Sequence, residues 1–327
     1  MSIRYILSAF AGFILSIMVV TSGFSQQLPQ FSQRNLDMFS YNPAFAGVKG
    51  YSEILIHHRS QWIGFEGSPV TQNLTYHGLL NRVMAYGFSV VNDEIGPIHT
   101  TGIKLAYAHH IDFGFMKWSL GLSGELYQYG LDGRELNPYQ INDPAFIGEL
   151  SDKVMRPEAS AGTFFYNQHF YLGYSVMQLL GSTVKLYKEL YTGTLPLTRY
   201  HYIVGGYNFS PIRNFDVETS LLWGKTQGAP SEWELNVHTQ YLGKILLGAS
   251  YRLNDAASVV AGFKFFDRLK IAYSYDLVTS DLRKYNSGSH ELILSYVIPN
   301  RAGKWNRWRH EYQYDFNPKT NKWKQRW

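Results

Sequence analysis

The stretch Lys117-Trp118-Ser119-Leu120-Gly121-Leu122-Ser123-Gly124-Glu125-Leu126-Tyr127 alternates without a break. Trp118, Leu120, Leu122, Gly124 and Leu126 fall on one side, and Lys117, Ser119, Gly121, Ser123, Glu125 and Tyr127 on the other. A period of two marks a strand whose faces meet different surroundings. The pattern recurs along the chain. Leu247, Ala249 and Tyr251 oppose Gly248, Ser250 and Arg252; Val259, Ala261, Phe263 and Phe265 oppose Ser258, Gly262 and Lys264, with Val260 the apolar exception. Leu292, Leu294, Tyr296 and Ile298 oppose Glu291 and Ser295. Turn signals at Asn92-Asp93, Asp132-Gly133, Gly205-Gly206, Pro211, Asn254-Asp255 and Asn286 to Gly288 separate such segments. Between Tyr51 and Ile298 there are about 14 of them, an even number in the range of closed outer-membrane barrels.

Alternation alone also fits a water-soluble sandwich. Here one face is Leu, Val, Phe and Tyr while the other is Gly, Ser and scattered charges, a polar face suited to a hydrated lumen. Phe164-Phe165-Tyr166, Phe170-Tyr171 and Tyr200-His201-Tyr202 near strand ends match the aromatic girdles of a bilayer-spanning barrel. At the start of the chain Arg4 precedes an apolar run from Tyr5 to Val20, and Thr21-Ser22-Gly23-Phe24-Ser25 supplies small residues for cleavage before Gln26. That run is short of the roughly 20 residues a helical span needs. The expectation is an all-β transmembrane outer-membrane β-barrel of about 14 antiparallel strands. Its segments are a signal peptide (1–25), an N-terminal periplasmic segment (26–50), the barrel (51–298) and a C-terminal periplasmic extension (299–327).

Composition narrows the chemistry. The absence of Cys excludes disulfides, thiolate metal sites and thiol nucleophiles. His57-His58 and His109-His110 are adjacent, so on strands the members of each pair point to opposite faces and cannot share a metal. No GxSxG is present, the carboxylates Asp93-Glu94 and Asp276 stand without a partner at acid-base separation, and the glycines do not precede helices. The sequence therefore offers no catalytic, cofactor-binding or metal-ligating set, and a non-enzymatic protein is expected.

Charge is uneven. From Arg301 to Trp327 there are eight basic and two acidic residues, against 22 basic and 23 acidic in the remainder. A near-neutral body has no electrostatic footprint for nucleic acid. The tail interleaves Trp305, Arg307, Trp308, Arg309, Trp323 and Trp327, the residue types of binding hot spots and of bilayer surfaces. It reads as a partner-docking segment, a lipid- or glycan-contacting segment, or a hairpin that plugs or caps the barrel.

Several blocks in one order resemble the PorP/SprF family of Bacteroidota outer-membrane proteins, associated with type IX secretion and gliding motility. They are Pro29-Gln30-Phe31-Ser32-Gln33, Tyr41-Asn42-Pro43-Ala44-Phe45-Ala46-Gly47, Arg59-Ser60-Gln61-Trp62 and Ser68-Pro69-Val70-Thr71, then Asn92 to Pro97, Gly248 to Arg252, Tyr273 to Asp276 and Ser287 to Glu291. In physical terms Asn42-Pro43 forces an extended residue and a turn, Gly47 frees the backbone, and Trp62 suits an interface. Tyr251-Arg252 and Tyr275-Asp276 place Arg and Asp on a lumen face, where they are expected to pair across neighbouring strands. The resemblance implies no catalysis and no cofactor. It implies an outer-membrane component, embedded in outer-membrane lipid, that binds or anchors a secreted type IX cargo or surface adhesin and contacts periplasmic ring or motor lipoproteins. The alternative is a channel or porin for small or hydrophobic solutes. The basic, Trp-rich tail departs from the family pattern. Removing the chain after Ile298 is expected to leave the barrel assembled and to remove one co-purifying periplasmic protein; an unchanged partner list would discard the tail as a docking segment.

Overall fold

A computed structural model describes residues 28–135, 151–186, 193–298, 314–317 and 322–325. The expected signal peptide and most of the tail lie outside these residues. The strands are β1 (Ser52–Ser60), β2 (Val70–Leu79), β3 (Met84–Ile95), β4 (Ile98–Asp112), β5 (Lys117–Asp132), β6 (Ser151–Tyr166), β7 (Phe170–Met177), β8 (Thr183–Leu186), β9 (Gly193–Pro196), β10 (Tyr200–Ile212), β11 (Phe215–Thr226), β12 (Glu232–Tyr241), β13 (Ile245–Arg252), β14 (Ala256–Phe265), β15 (Leu269–Val278), β16 (Ser289–Ile298), β17 (Tyr314–Asn317) and β18 (Lys322–Gln325). β1 to β7 and β10 to β16 form one closed antiparallel barrel, the 14 strands read from the alternation. Closure is made by β1 against β16, from Ser52↔Ile298 to Ser60↔His290. Closure leaves no unpaired sheet edge, which a strand in lipid cannot tolerate. Among the described residues no helix is long and apolar enough to cross a membrane.

The two ends of the barrel differ. At the end holding Ser52 and Ile298 the connections are the short turns 80–83, 113–116, 167–169, 213–214, 242–244 and 266–268. At the other end lie the longer connections 61–69, 133–150, 178–199 and 279–288. The 178–199 connection carries the β8–β9 hairpin and is bonded to the flank of β6. The Glu158 carboxylate accepts from the amides of Leu180 (3.2 Å) and Ser182 (2.7 Å), and Arg156 Nε donates to the Thr183 carbonyl (2.7 Å). β6 runs past the last residue of β7, so these bonds occupy the side of β6 that β7 leaves unpaired.

On β4 and β5 the apolar side faces outward. Leu105 is 64% and Leu122 65% exposed, whereas Ser119, Ser123 and Glu125 on the opposite face are buried. A face of bare Leu without a protein partner suits lipid. Val260, the apolar exception, points inward and packs with Leu36, Leu55, Leu246, Ala272 and Ile293.

The inner face is not a hydrated lumen. Phe31 to Val48 run inside the barrel and nearly all are buried, so this segment is a plug and not a periplasmic extension. The core is the layer between plug and wall: Phe39, Tyr41, Ala44, Phe45 and Ala46 against Phe164, Tyr166, Tyr171, Tyr200, Tyr202 and Leu222. This also corrects the reading of the aromatics. Phe164, Tyr166, Tyr171, Tyr200 and Tyr202 point inward, because they share the parity of the inner-face serines. The outward aromatics are their neighbours and others, such as Trp118 stacked on Phe165 (5.3 Å) near the short turns and Trp223 beside Trp233 (6.4 Å) near the long loops.

Gly121 marks where the plug backbone meets the wall: a Cβ there would stand 2.2 Å from the Ala44 nitrogen. Gly124, on the outer face of the same strand, has open space. Gly121→Val should therefore destabilise the folded barrel by about 1–3 kcal/mol or expel the plug, while Gly124→Val stays neutral. Urea unfolding, together with trypsin sensitivity of the plug in the heat-modifiable folded band, reads both outcomes.

Candidate functional site, the plugged lumen

An irregular segment inside a closed sheet brings main-chain groups that no ladder satisfies. Wall side chains supply the partners. Lys104 Nζ donates to the Ser40 carbonyl (2.8 Å), Ser175 Oγ to that of Tyr41 (2.7 Å) and Ser119 Oγ to that of Ala44 (2.7 Å). His110 Nε2 bonds the Ala46 carbonyl (2.9 Å), and its Nδ1 meets the Tyr166 hydroxyl (3.0 Å). With Nε2 donating, Nδ1 is the acceptor, so a neutral imidazole satisfies both. Lys104, Ser119, Ser175 and His110 of the inner face are thus complements of this plug.

Two arginine clusters hold the first residues of the plug. Arg59 on β1 meets Asp276 on β15 (2.7 Å) and Glu291 on β16 (2.8 Å) and donates to Ser32 Oγ (2.6 Å). Ser32 Oγ in turn donates to Asp276. Glu291 accepts from the amides of Ser32 (2.8 Å) and Gln33 (3.0 Å) and lies 2.7 Å from His57 Nε2. In the second cluster Arg34 of the plug pairs with Glu232 and lies 3.7 Å from Glu234. Arg252 on β13 meets Glu234 (3.1 Å), Glu232 (3.2 Å) and Asp255 (2.7 Å). Phe31 stacks on His57 at 3.8 Å. Charges so buried are tolerated because each faces opposite charge and hydrogen bonds; removing one member strands the rest, at about 3–5 kcal/mol.

A cavity lined by Arg34, Met38, Tyr41, Phe164, Tyr202 and neighbours is about 20 Å³, room for one water molecule. Among the described residues no three His, Asp or Glu side chains converge as metal ligands.

The residues singled out by sequence separate into plug, lumen, surface and tail. Asn42 is extended (φ −142°, ψ 110°) before Pro43; its Oδ1 accepts from the Ala44 amide (2.9 Å), and its Nδ2 donates to the carbonyls of Thr163 (3.2 Å) and Tyr174 (3.3 Å). Gly47 is left-handed (φ 74°), with Ala85 and Leu79 where a side chain would go. Trp62 sits just past β1, half-buried, its amide donating to Ser289 Oγ (3.1 Å). Tyr251 is outward and exposed, and the outward Tyr275 donates to the Ser287 carbonyl (2.6 Å). Arg252 and Asp276 both face the lumen but do not pair: β14 stands between their strands, and Asp276 takes Arg59 while Arg252 takes Glu232, Glu234 and Asp255. Trp305, Arg307, Trp308, Arg309 and Trp327 lie outside the described residues, and Trp323 stands on β18 opposite Phe316. Sequence reasoning missed Arg34, Glu232 and Glu234. Ser32, Arg59 and Glu291 lay inside motif blocks, and the parity of Arg59 with Leu55 and of Glu291 with Ile293 was a usable signal.

The model of the type IX secretion system membrane protein PorP/SprF matches residues 23–296, which takes in the plug and the barrel. The chain belongs to the PorP/SprF family. No curated protein sequence matches it. Among solved structures, the Ralstonia pickettii toluene transporter TbuX is 8% identical (TM-score 0.49), covering 80% of this chain and 92% of its own. The Pseudomonas putida toluene transporter TodX is 11% identical (TM-score 0.46), covering 84% and 95%. The Acinetobacter baumannii outer membrane protein Omp33 is 10% identical (TM-score 0.43), covering 76% and 98%. What the two toluene transporters carry is theirs; this PorP/SprF member is an outer-membrane protein with a lumen of its own.

The re-assigned partners give a direct test. A double-mutant cycle on Arg59→Met and Asp276→Asn should return a coupling of about 1–3 kcal/mol in urea unfolding. The cycle on Arg252→Met and Asp276→Asn should return a much smaller one.

Proposed function

We propose that this protein is a plugged outer-membrane platform of the type IX secretion apparatus, which anchors a secreted surface protein on its loop end and contacts periplasmic machinery on its turn end. The single observation that carries this reading is the plug: residues 31–48 are packed inside the barrel with an apolar core and two buried ionic clusters. A solute channel needs a continuous polar path, and a filled lumen argues against the porin alternative. Binding then falls to the two ends. Outer-membrane barrels carry short periplasmic turns and longer external loops, so the loop end with the β8–β9 hairpin is the external face. The basic, Trp-rich tail follows β16 from the periplasmic end and supplies hot-spot residue types for a partner there. Nothing in this reading requires catalysis.

Mild-detergent affinity purification from native outer membrane, read by mass spectrometry, is expected to recover a large secreted surface protein or periplasmic ring components. The purified barrel in planar bilayers is expected to give no steady conductance. Recovery of the barrel alone together with a stable open conductance would replace this reading with the solute channel.

A further inference from the structure

The direction of the plug follows from its contacts. Near Phe31 to Arg34 the partners are Glu232, the first residue of β12 after the 227–231 connection, and Arg252, the last residue of β13 before 253–255. Both connections are at the loop end. In mid-plug, Asn35 bonds Ser220, and Asp37 accepts from Asn73 (3.2 Å). At the far end Gly47 lies against Leu79 and Ala85, which flank the turn 80–83, and Lys49 pairs with Glu53 (2.5 Å) near the start of β1. The segment therefore runs down the lumen, from the loop end at Phe31 to the turn end at Gly50.

An even number of strands fixes only Ser52 and Ile298 to the same side. The plug adds one more crossing. We propose that its amino-terminal end is presented at the external mouth, opposite the carboxyl end of the barrel, and that the plug is a latch released from outside. The mechanics follow from what holds each end. At the turn end the plug continues covalently into β1, which is hydrogen-bonded to β2 and β16 along its length, so force there is taken up by the sheet. At the loop end Phe31 to Arg34 belong to no strand and are held by side-chain bonds from Arg59, Glu291, Asp276, Glu232, Arg252, Tyr41 and His238 and by the stacking of Phe31 on His57. A group that competes for those carboxylates or arginines reaches them first from the external mouth. This inference rests on the orientation assigned under the proposed function, with the loop end external, and stands apart from the partners named there.

The chain has no Cys, so one introduced thiol is the only target for a membrane-impermeant maleimide. Gln30→Cys should label in intact cells, as Tyr285→Cys on the 279–288 loop does, while Arg213→Cys on the 213–214 turn should label only after permeabilisation. An epitope inserted immediately before Leu28 gives an independent reading: antibody binding to intact cells is expected. Either reporter becoming accessible only after permeabilisation, in a heat-modifiable folded barrel, would overturn the proposal, and if Gln30→Cys is silent throughout the epitope decides. For the latch, Arg34→Gln should speed external labelling of Ser40→Cys by about tenfold, the scale of one charge-assisted bond. Lys49→Gln at the tethered end should not. Equal rates in the two variants would remove the latch.

Discussion

A closed sheet is saturated by its own ladder, and any chain placed inside it arrives with main-chain groups that the ladder cannot bond. The architecture of this lumen answers that constraint. The Ser40, Tyr41, Ala44 and Ala46 carbonyls each find a side chain of the wall, on β4, β5 or β7. The amides of Ser32 and Gln33 share one carboxylate. Without such complements each buried group would cost on the order of 1–3 kcal/mol, so the plug and the inner face specify one another.

The two ionic clusters follow the same logic at higher stakes. Replacing a buried ion pair by apolar residues is often neutral or stabilising, so such pairs are weak evidence for stability. Their effect here is positional. Arg59 reaches Asp276 and Glu291 on two successive strands and Ser32 on the plug, and Arg34 reaches β12. Each bond is satisfied in one register of plug against wall. The apolar contacts of Phe39, Phe45 and Tyr41 add burial without that selectivity. The proposed role as a platform draws on this packing, in which the cavity beside Tyr41 admits one water molecule.

How much of this was legible varies by residue. The parity of Lys117 to Tyr127 placed every one of its side chains on the right face, because a strand repeats every two residues whatever it packs against. The same parity carried from Ser160 along β6 would have turned Phe164 and Tyr166 inward; reading them as a girdle took residue type over position. The Asn42-Pro43 turn was visible because proline constrains the residue before it. Arg252 and Asp276 were rightly placed on the inner face but wrongly paired, since which strands neighbour one another, and at what height, is not written in either strand alone.

The sequence by itself determined the strands, their two faces, their even number and the family, all consequences of local periodicity and of short motifs in a fixed order. Only the tertiary structure decided that residues 31–48 lie within the barrel. Ser32, Arg34 and Asn42 are polar and their segment has no period, so alone they read as an exposed arm. Their burial depends on partners up to 259 positions away, as between Ser32 and Glu291, and a contact that distant leaves no pattern in the local sequence.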